Sequence, residues 1–99
     1  MILEQLKKKL VIYMKNKDEL RLRVLRLYLS KVTEKEIELR SQNQELTDEI
    51  AYKVLKKRIK ETNKSIDLYR DAKRYDLVDK ESNELDILEE FARLFPEYN

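Results

Sequence analysis

The chain has 99 residues, 41% hydrophobic and 42% charged, a balance too apolar for a disordered segment and too charged for a membrane span. It contains no glycine, histidine or cysteine, which excludes glycine-rich phosphate loops, disulfides, thiol nucleophiles, the usual metal ligands and an imidazole proton shuttle. Its formal net charge of +2 conceals a polarity: residues 1–75 carry 20 basic and 12 acidic side chains, residues 76–99 carry 2 and 8.

With no glycine and a single proline, Pro96, the sequence lacks the residues that hairpins and tight strand turns require, so it reads as helix throughout. The expected fold is all-α, a four-helix bundle-like single domain over residues 1–99, with helices at about 2–16, 19–40, 48–73 and 77–94.

In the first helix, Leu3, Leu6, Leu10, Tyr13 and Met14 fall on one face, and Asn16-Lys17-Asp18 ends it. Its lysines resemble those of a transit peptide, but Glu4 and the lack of arginine and serine argue for part of the fold. Asp18 is the expected cap of the second helix, with Glu19 at the positive end of its dipole. Leu20, Val24, Leu25, Leu27, Tyr28, Leu29 and Val32 wrap well over half of that helix and make it the central element, leaving Arg23, Arg26, Ser30 and Glu34 for water.

The polar run from Ser41 to Glu45 breaks the pattern, and Thr47 caps a long third helix. Its face of Ala51, Val54, Leu55, Ile59, Ile66 and Tyr69 is narrower and is interrupted by Arg58, Thr62 and Ser65. After a turn at Arg74-Tyr75, Asp76 is the expected cap of a fourth helix lined by Leu77, Val78, Leu85, Leu88, Phe91, Ala92 and Phe95 and stopped by Pro96. Short connections make helices one and two, and three and four, antiparallel neighbours. Val11, Ile12 and Ile87 lie off these core faces and are candidates for a contact surface.

The most patterned surface feature is a row of lysines on the third helix, Lys53, Lys57, Lys60 and Lys64, spaced 4, 3 and 4 residues apart. Stacked like charges repel by a few tenths of a kcal/mol per pair, so the row reads either as a solvated face relieved by neighbouring acids or as an anion site. Glu49, Glu61, Asp67 and Asp71 dilute its field, and no aromatic is interleaved to stack on bases, although Tyr52 adjoins Lys53. Arg70, Lys73 and Arg74, with Tyr75, cluster at the following turn, where cations also suit the helix dipole.

Glu34 with Glu38, and Glu81 with Glu84 and Glu89, read as exposed carboxylates near lysines rather than an acid–base pair. The serines have no histidine to activate them. No catalytic residue, metal site or cofactor is expected, and the default compartment is the cytoplasm.

The order of segments resembles the YqeY family, which is similar to the C-terminal region of the GatB subunit of tRNA-dependent amidotransferases. The resemblance rests on Leu3-Glu4-Gln5-Leu6-Lys7, Leu20-Arg21-Leu22-Arg23-Val24-Leu25-Arg26-Leu27-Tyr28, Glu36-Ile37-Glu38, Leu46-Thr47-Asp48-Glu49, Lys64-Ser65-Ile66-Asp67-Leu68-Tyr69, Asp76-Leu77-Val78-Asp79-Lys80-Glu81 and Glu84-Leu85-Asp86-Ile87-Leu88 running to Phe95-Pro96. It implies a helical module associated with tRNA metabolism, and a family label of carbon-nitrogen ligase with glutamine as amido donor, although nothing in these residues performs that reaction. The implied partner is tRNA or a tRNA-modifying enzyme, with no membrane, and Lys53, Lys57, Lys60, Lys64, Arg70, Lys73 and Arg74 are the candidate contacts. The alternative is a protein-interaction or self-association module that binds no nucleic acid; the sequence does not fix the oligomeric state.

Two departures stand out. The family's second small helical domain is absent from these residues, and its glycine between the last two helices is replaced by Ala72-Lys73-Arg74-Tyr75, which requires a turn built from unfavoured residues or a reshaped one.

Overall fold

A computed structural model describes residues 1–98, and over them the chain is all-α. Four helices follow one another: α1 (Ile2–Lys15), α2 (Glu19–Ser41), α3 (Asp48–Asp71) and α4 (Tyr75–Ala92). Among the described residues no helix is long and apolar enough to cross a membrane.

Two of the expected caps are present. The Asp18 carboxylate accepts from the Arg21 backbone N–H at 3.2 Å, and the Thr47 hydroxyl accepts from that of Ile50 at the same distance, each satisfying one of the donors that a helix start leaves unpaired. Asp76 is not a cap. Arg74 occupies that position without a side-chain cap, so α4 starts earlier than its acidic residue, and Asp76 lies in the first turn.

All three reversals are made without glycine. Lys17, Asn43 and Lys73 adopt φ of 56°, 56° and 57°, the left-handed conformation that glycine takes most readily. After α3, the Lys73 N–H donates to the Arg70 carbonyl at 3.0 Å and the Arg74 N–H to that of Tyr69 at 2.8 Å, the paired pattern of a Schellman motif. Lys17 with Asp18 and Asn43 with Gln44 repeat it after α1 and α2. The turn before α4 therefore takes the left-handed shape that glycine favours and places a lysine where a Cβ costs roughly 1–2 kcal/mol.

The core gathers Leu3, Leu6 and Tyr13 of α1, Val24, Leu25, Tyr28 and Val32 of α2, Ala51 and Leu55 of α3, and Ile87, Leu88, Phe91 and Ala92 of α4, with Phe95 beyond it. Helix α2 touches each of the others, as its wide apolar face predicts. Tyr28 is buried at the centre, and its hydroxyl donates to the Ala51 carbonyl at 2.7 Å, tying α2 to the start of α3. Burial, with a smaller effect from the Asp48 charge, pushes the Tyr28 phenol above its ordinary range.

Several side chains depart from the pattern, among them Leu39, buried although it belongs to no expected face of α2. Thr62 breaks the apolar face of α3 in sequence yet is only 1% exposed, because its hydroxyl donates to the Arg58 carbonyl at 2.9 Å and so enters the core satisfied. Ile87, off the expected face of α4, is only 5% exposed. Conversely, Met14 and Leu27 lie exposed at the edges of their faces.

The molecule measures 46 × 33 × 26 Å, and its 14.6 Å radius of gyration exceeds the ~13 Å of a compact 100-residue globule. The elongation comes from α3 and α4, which pack more extensively than any other pair and run beyond the shared core. Ile66 is buried in this hairpin but lies outside the main cluster. The result is a four-helix base with a two-helix arm, and the middle of α3 spans the junction.

Candidate nucleic-acid interface

Lys53, Lys57, Lys60 and Lys64 are all exposed, on the side of α3 opposite Ala51, Leu55 and Thr62. Lys53 is held at 3.8 Å by Glu49, one turn earlier. Lys57, Lys60 and Lys64 have no carboxylate within ion-pair distance among the described residues. Three positive charges without a direct ion-pair partner therefore line about 10 Å of helix at 1.5 Å per residue.

The turn cluster behaves otherwise. Arg70 pairs with Asp67 at 3.5 Å. Arg74 grips Asp76 through two hydrogen bonds, Nε to one carboxylate oxygen at 3.2 Å and a terminal nitrogen to the other at 3.1 Å. The Arg74 hydrogen bond holds the Asp76 carboxyl below the usual carboxylate range, aided by backbone N–H groups. Lys73 is exposed in the left-handed turn and has no ion-pair partner among the described residues. Of the seven candidates, the structure leaves the middle of α3 with free charge and neutralises both arginines at the tip.

Two grooves flank the lysine row. One, of about 570 Å³ between α2 and α3, includes Lys31, Lys35, Lys53, Lys57 and Arg58, opposed by Glu34, Glu38 and Glu61. Lys31 pairs with Glu34 at 3.7 Å and Lys35 with Glu38 at 3.3 Å, so much of its charge is internally balanced. The other, of about 460 Å³ between α3 and the end of α4, is bordered by Lys56, Lys60 and Lys64 and contains Tyr52 and Tyr98. Sequence reasoning missed this second groove because Tyr98 reaches it only through the chain's return after α4.

Ion pairs between elements fix the frame. Arg21 joins Asp18 at 3.0 Å and Glu90 of α4 at 3.0 Å, and Arg23 meets Glu84 at 2.7 Å. Burial first, and then the Glu90 charge, raise the phenol of the neighbouring Tyr13. Among the described residues no group of three or more acidic side chains is arranged to hold a metal ion.

The family model described as Yqey-like protein matches residues 3–96. The chain belongs to the YqeY-like family. It is similar to the mitochondrial "Altered inheritance of mitochondria protein 41" of Kluyveromyces lactis, 39% identical over 80 residues that cover 81% of this chain and 42% of that protein. The protein of the same name from Pyrenophora tritici-repentis is 42% identical over 50 residues, covering 50% of this chain and 28% of its own length. The YqeY-like chain thus spans less than half the length of these curated relatives.

Proposed function

We infer that this YqeY-like chain is a non-catalytic helical module of tRNA metabolism that binds tRNA, alone or alongside an amidotransferase-type enzyme, through the middle of α3. One observation carries the reading: Lys57, Lys60 and Lys64 stand exposed and without ion-pair partners on a face that contributes nothing to the core. Such a row costs repulsion unless a polyanion neutralises it, and counterion release on phosphate contact supplies the compensating free energy. The resemblance to the C-terminal region of GatB supports tRNA as that polyanion.

In this reading the acidic α4 and the paired arginines confine contact to one side of the molecule. The compartment we assign is the cytoplasm; the fungal relatives carry a mitochondrial designation, and imaging of a tagged chain decides between the two. The test of function is direct. Affinity for tRNA should fall steeply with salt, and Lys57→Glu combined with Lys60→Glu should weaken it at least tenfold at low salt. Unchanged binding by a folded double variant ends the tRNA reading.

A second reading, as a protein-interaction or self-association module, is favoured by the outer face of α1, where Val11 and Ile12 are 53% and 50% exposed beside Met14. Light scattering checks it: a strictly monomeric chain at high concentration removes self-association.

A further inference from the structure

The groove of about 460 Å³ beside the lysine row is built differently from the groove on the row's other side. It contains two aromatic side chains, Tyr52 and Tyr98, whereas the groove between α2 and α3 on the other side of the lysine row contains none. Its volume falls within the ~300–1,000 Å³ of small-ligand pockets. Tyr52 forms a fixed wall: Phe95 packs against its ring with centroids 5.3 Å apart, and the Lys56 ammonium lies 5.8 Å from the ring centre. Tyr98 is 37% exposed and offers an open ring. Lys60 and Lys64 stand on the rim without ion-pair partners among the described residues.

Two acidic groups also line this groove, which argues against a simple polyanion. Asp67 is taken by Arg70 at 3.5 Å, whereas Glu89 has no ion-pair partner among the described residues and, with the amide of Asn63, supplies hydrogen-bonding capacity inside a cationic rim. A carboxylate there repels phosphate but accepts from an N–H donor. The complementary ligand is a flat, neutral ring that bears an amine and carries an anionic chain on one side.

We propose that this groove receives one unpaired, amine-bearing nucleobase of an RNA strand, stacked on Tyr98, with its amine donated to Glu89 and its flanking phosphates on Lys60 and Lys64. The proposal rests on the tRNA reading above and adds what that reading lacks, a way to distinguish a single strand from a duplex and cytosine from uracil. Unstacked bases are held by aromatic platforms, and carboxylates accept from the cytosine amino group, which uracil lacks.

The test uses the full chain and labelled single-stranded oligocytidylate and oligouridylate, with a duplex of equal length and tRNA, followed by fluorescence anisotropy at low salt. Oligocytidylate should bind about tenfold more tightly than oligouridylate and than the duplex. Tyr98→Ala should remove most of that advantage while Tyr98→Phe keeps it, and Glu89→Gln should erase the cytosine preference while strengthening oligouridylate binding. Lys57→Glu, facing the other groove, should weaken every RNA without changing their order. Equal binding of the two strands, insensitive to Tyr98→Ala while Lys57→Glu still weakens tRNA, overturns the base site and leaves the tRNA reading standing. Tyr98-dependent oligocytidylate binding with no affinity for tRNA does the reverse, and no binding to any RNA removes both.

Discussion

The stretch of α3 up to Lys64 and the stretch beyond it look alike in sequence, each with apolar residues at helical spacing and basic residues outward, yet they do different work in the structure. Up to Lys64 the helix buries Ala51 and Leu55 in a base that all four helices share, and Thr62 besides, while its outward Lys57, Lys60 and Lys64 remain unpaired among the described residues. Beyond Lys64 the helix buries Ile66 within the α3–α4 arm, and its outward Arg70 is already matched to Asp67, as Arg74 is to Asp76 just past its end. Three lysines along the middle of α3 are thus left unpaired, whereas the two arginines towards its end and just beyond are matched. A row of cations costs least to hold on a rigid segment, because the side chains that bind a polyanion then add little backbone ordering.

Four measurements break or sharpen this contrast. The largest effect concerns support: Leu55→Ala should destabilise the whole fold by about 2–5 kcal/mol in urea unfolding. Ile66→Ala should act mainly by loosening hydrogen exchange in the arm, leaving the base closer to its normal protection. Equal global losses at the two sites would erase the division into base and arm. Next comes charge. Arg70→Ala with Arg74→Ala should change tRNA affinity less than twofold, against the tenfold loss expected for the lysine pair. A larger loss from the arginines would move the interface to the tip.

Smaller still is the turn that joins the halves of the hairpin. Lys73→Gly should raise stability by about 0.5–1 kcal/mol, as relief of the left-handed Cβ outweighs the added freedom of the unfolded chain. Asn43→Gly should be nearly neutral, since asparagine tolerates this conformation. The smallest effect is electrostatic. In an NMR titration the Asp76 carboxyl should take up its proton below the ordinary aspartate range, and Arg74→Ala should return it there. A depressed carboxylate contributes stability above the unfolded value and loses it as pH falls through the folded one; for this exposed pair the loss is confined to acid and is small.

Much of this was legible in the sequence, and the parts that were not have definite reasons. Asp18 and Thr47 were readable because a cap is a three-residue relationship. The family resemblance was readable because it spans the chain in order, and the match over residues 3–96 agrees with it. Thr62 and Ile87 were misjudged because hydropathy at 100° per residue scores polarity and angle, whereas burial also depends on whether a hydroxyl can bond to its own helix and on how wide a neighbouring face is. The lysines and arginines appeared equivalent because pairing depends on rotamer reach: Arg74 finds Asp76 two residues on, across a helix start, and Lys57 finds nothing. Tyr98 was invisible as a site residue because no periodicity links it to Tyr52, 46 positions earlier.

The three glycine-free reversals have a kinetic consequence. Each brings the next helix back beside its predecessor, so most of the packing is between stretches close in the chain, and the loop-closure entropy to be overcome before contacts form is small. Helical proteins wired this way have low contact order and collapse on a timescale of roughly microseconds to milliseconds. The hairpin of α3 and α4, joined by a short reversal and packed along its length, can zip as a unit.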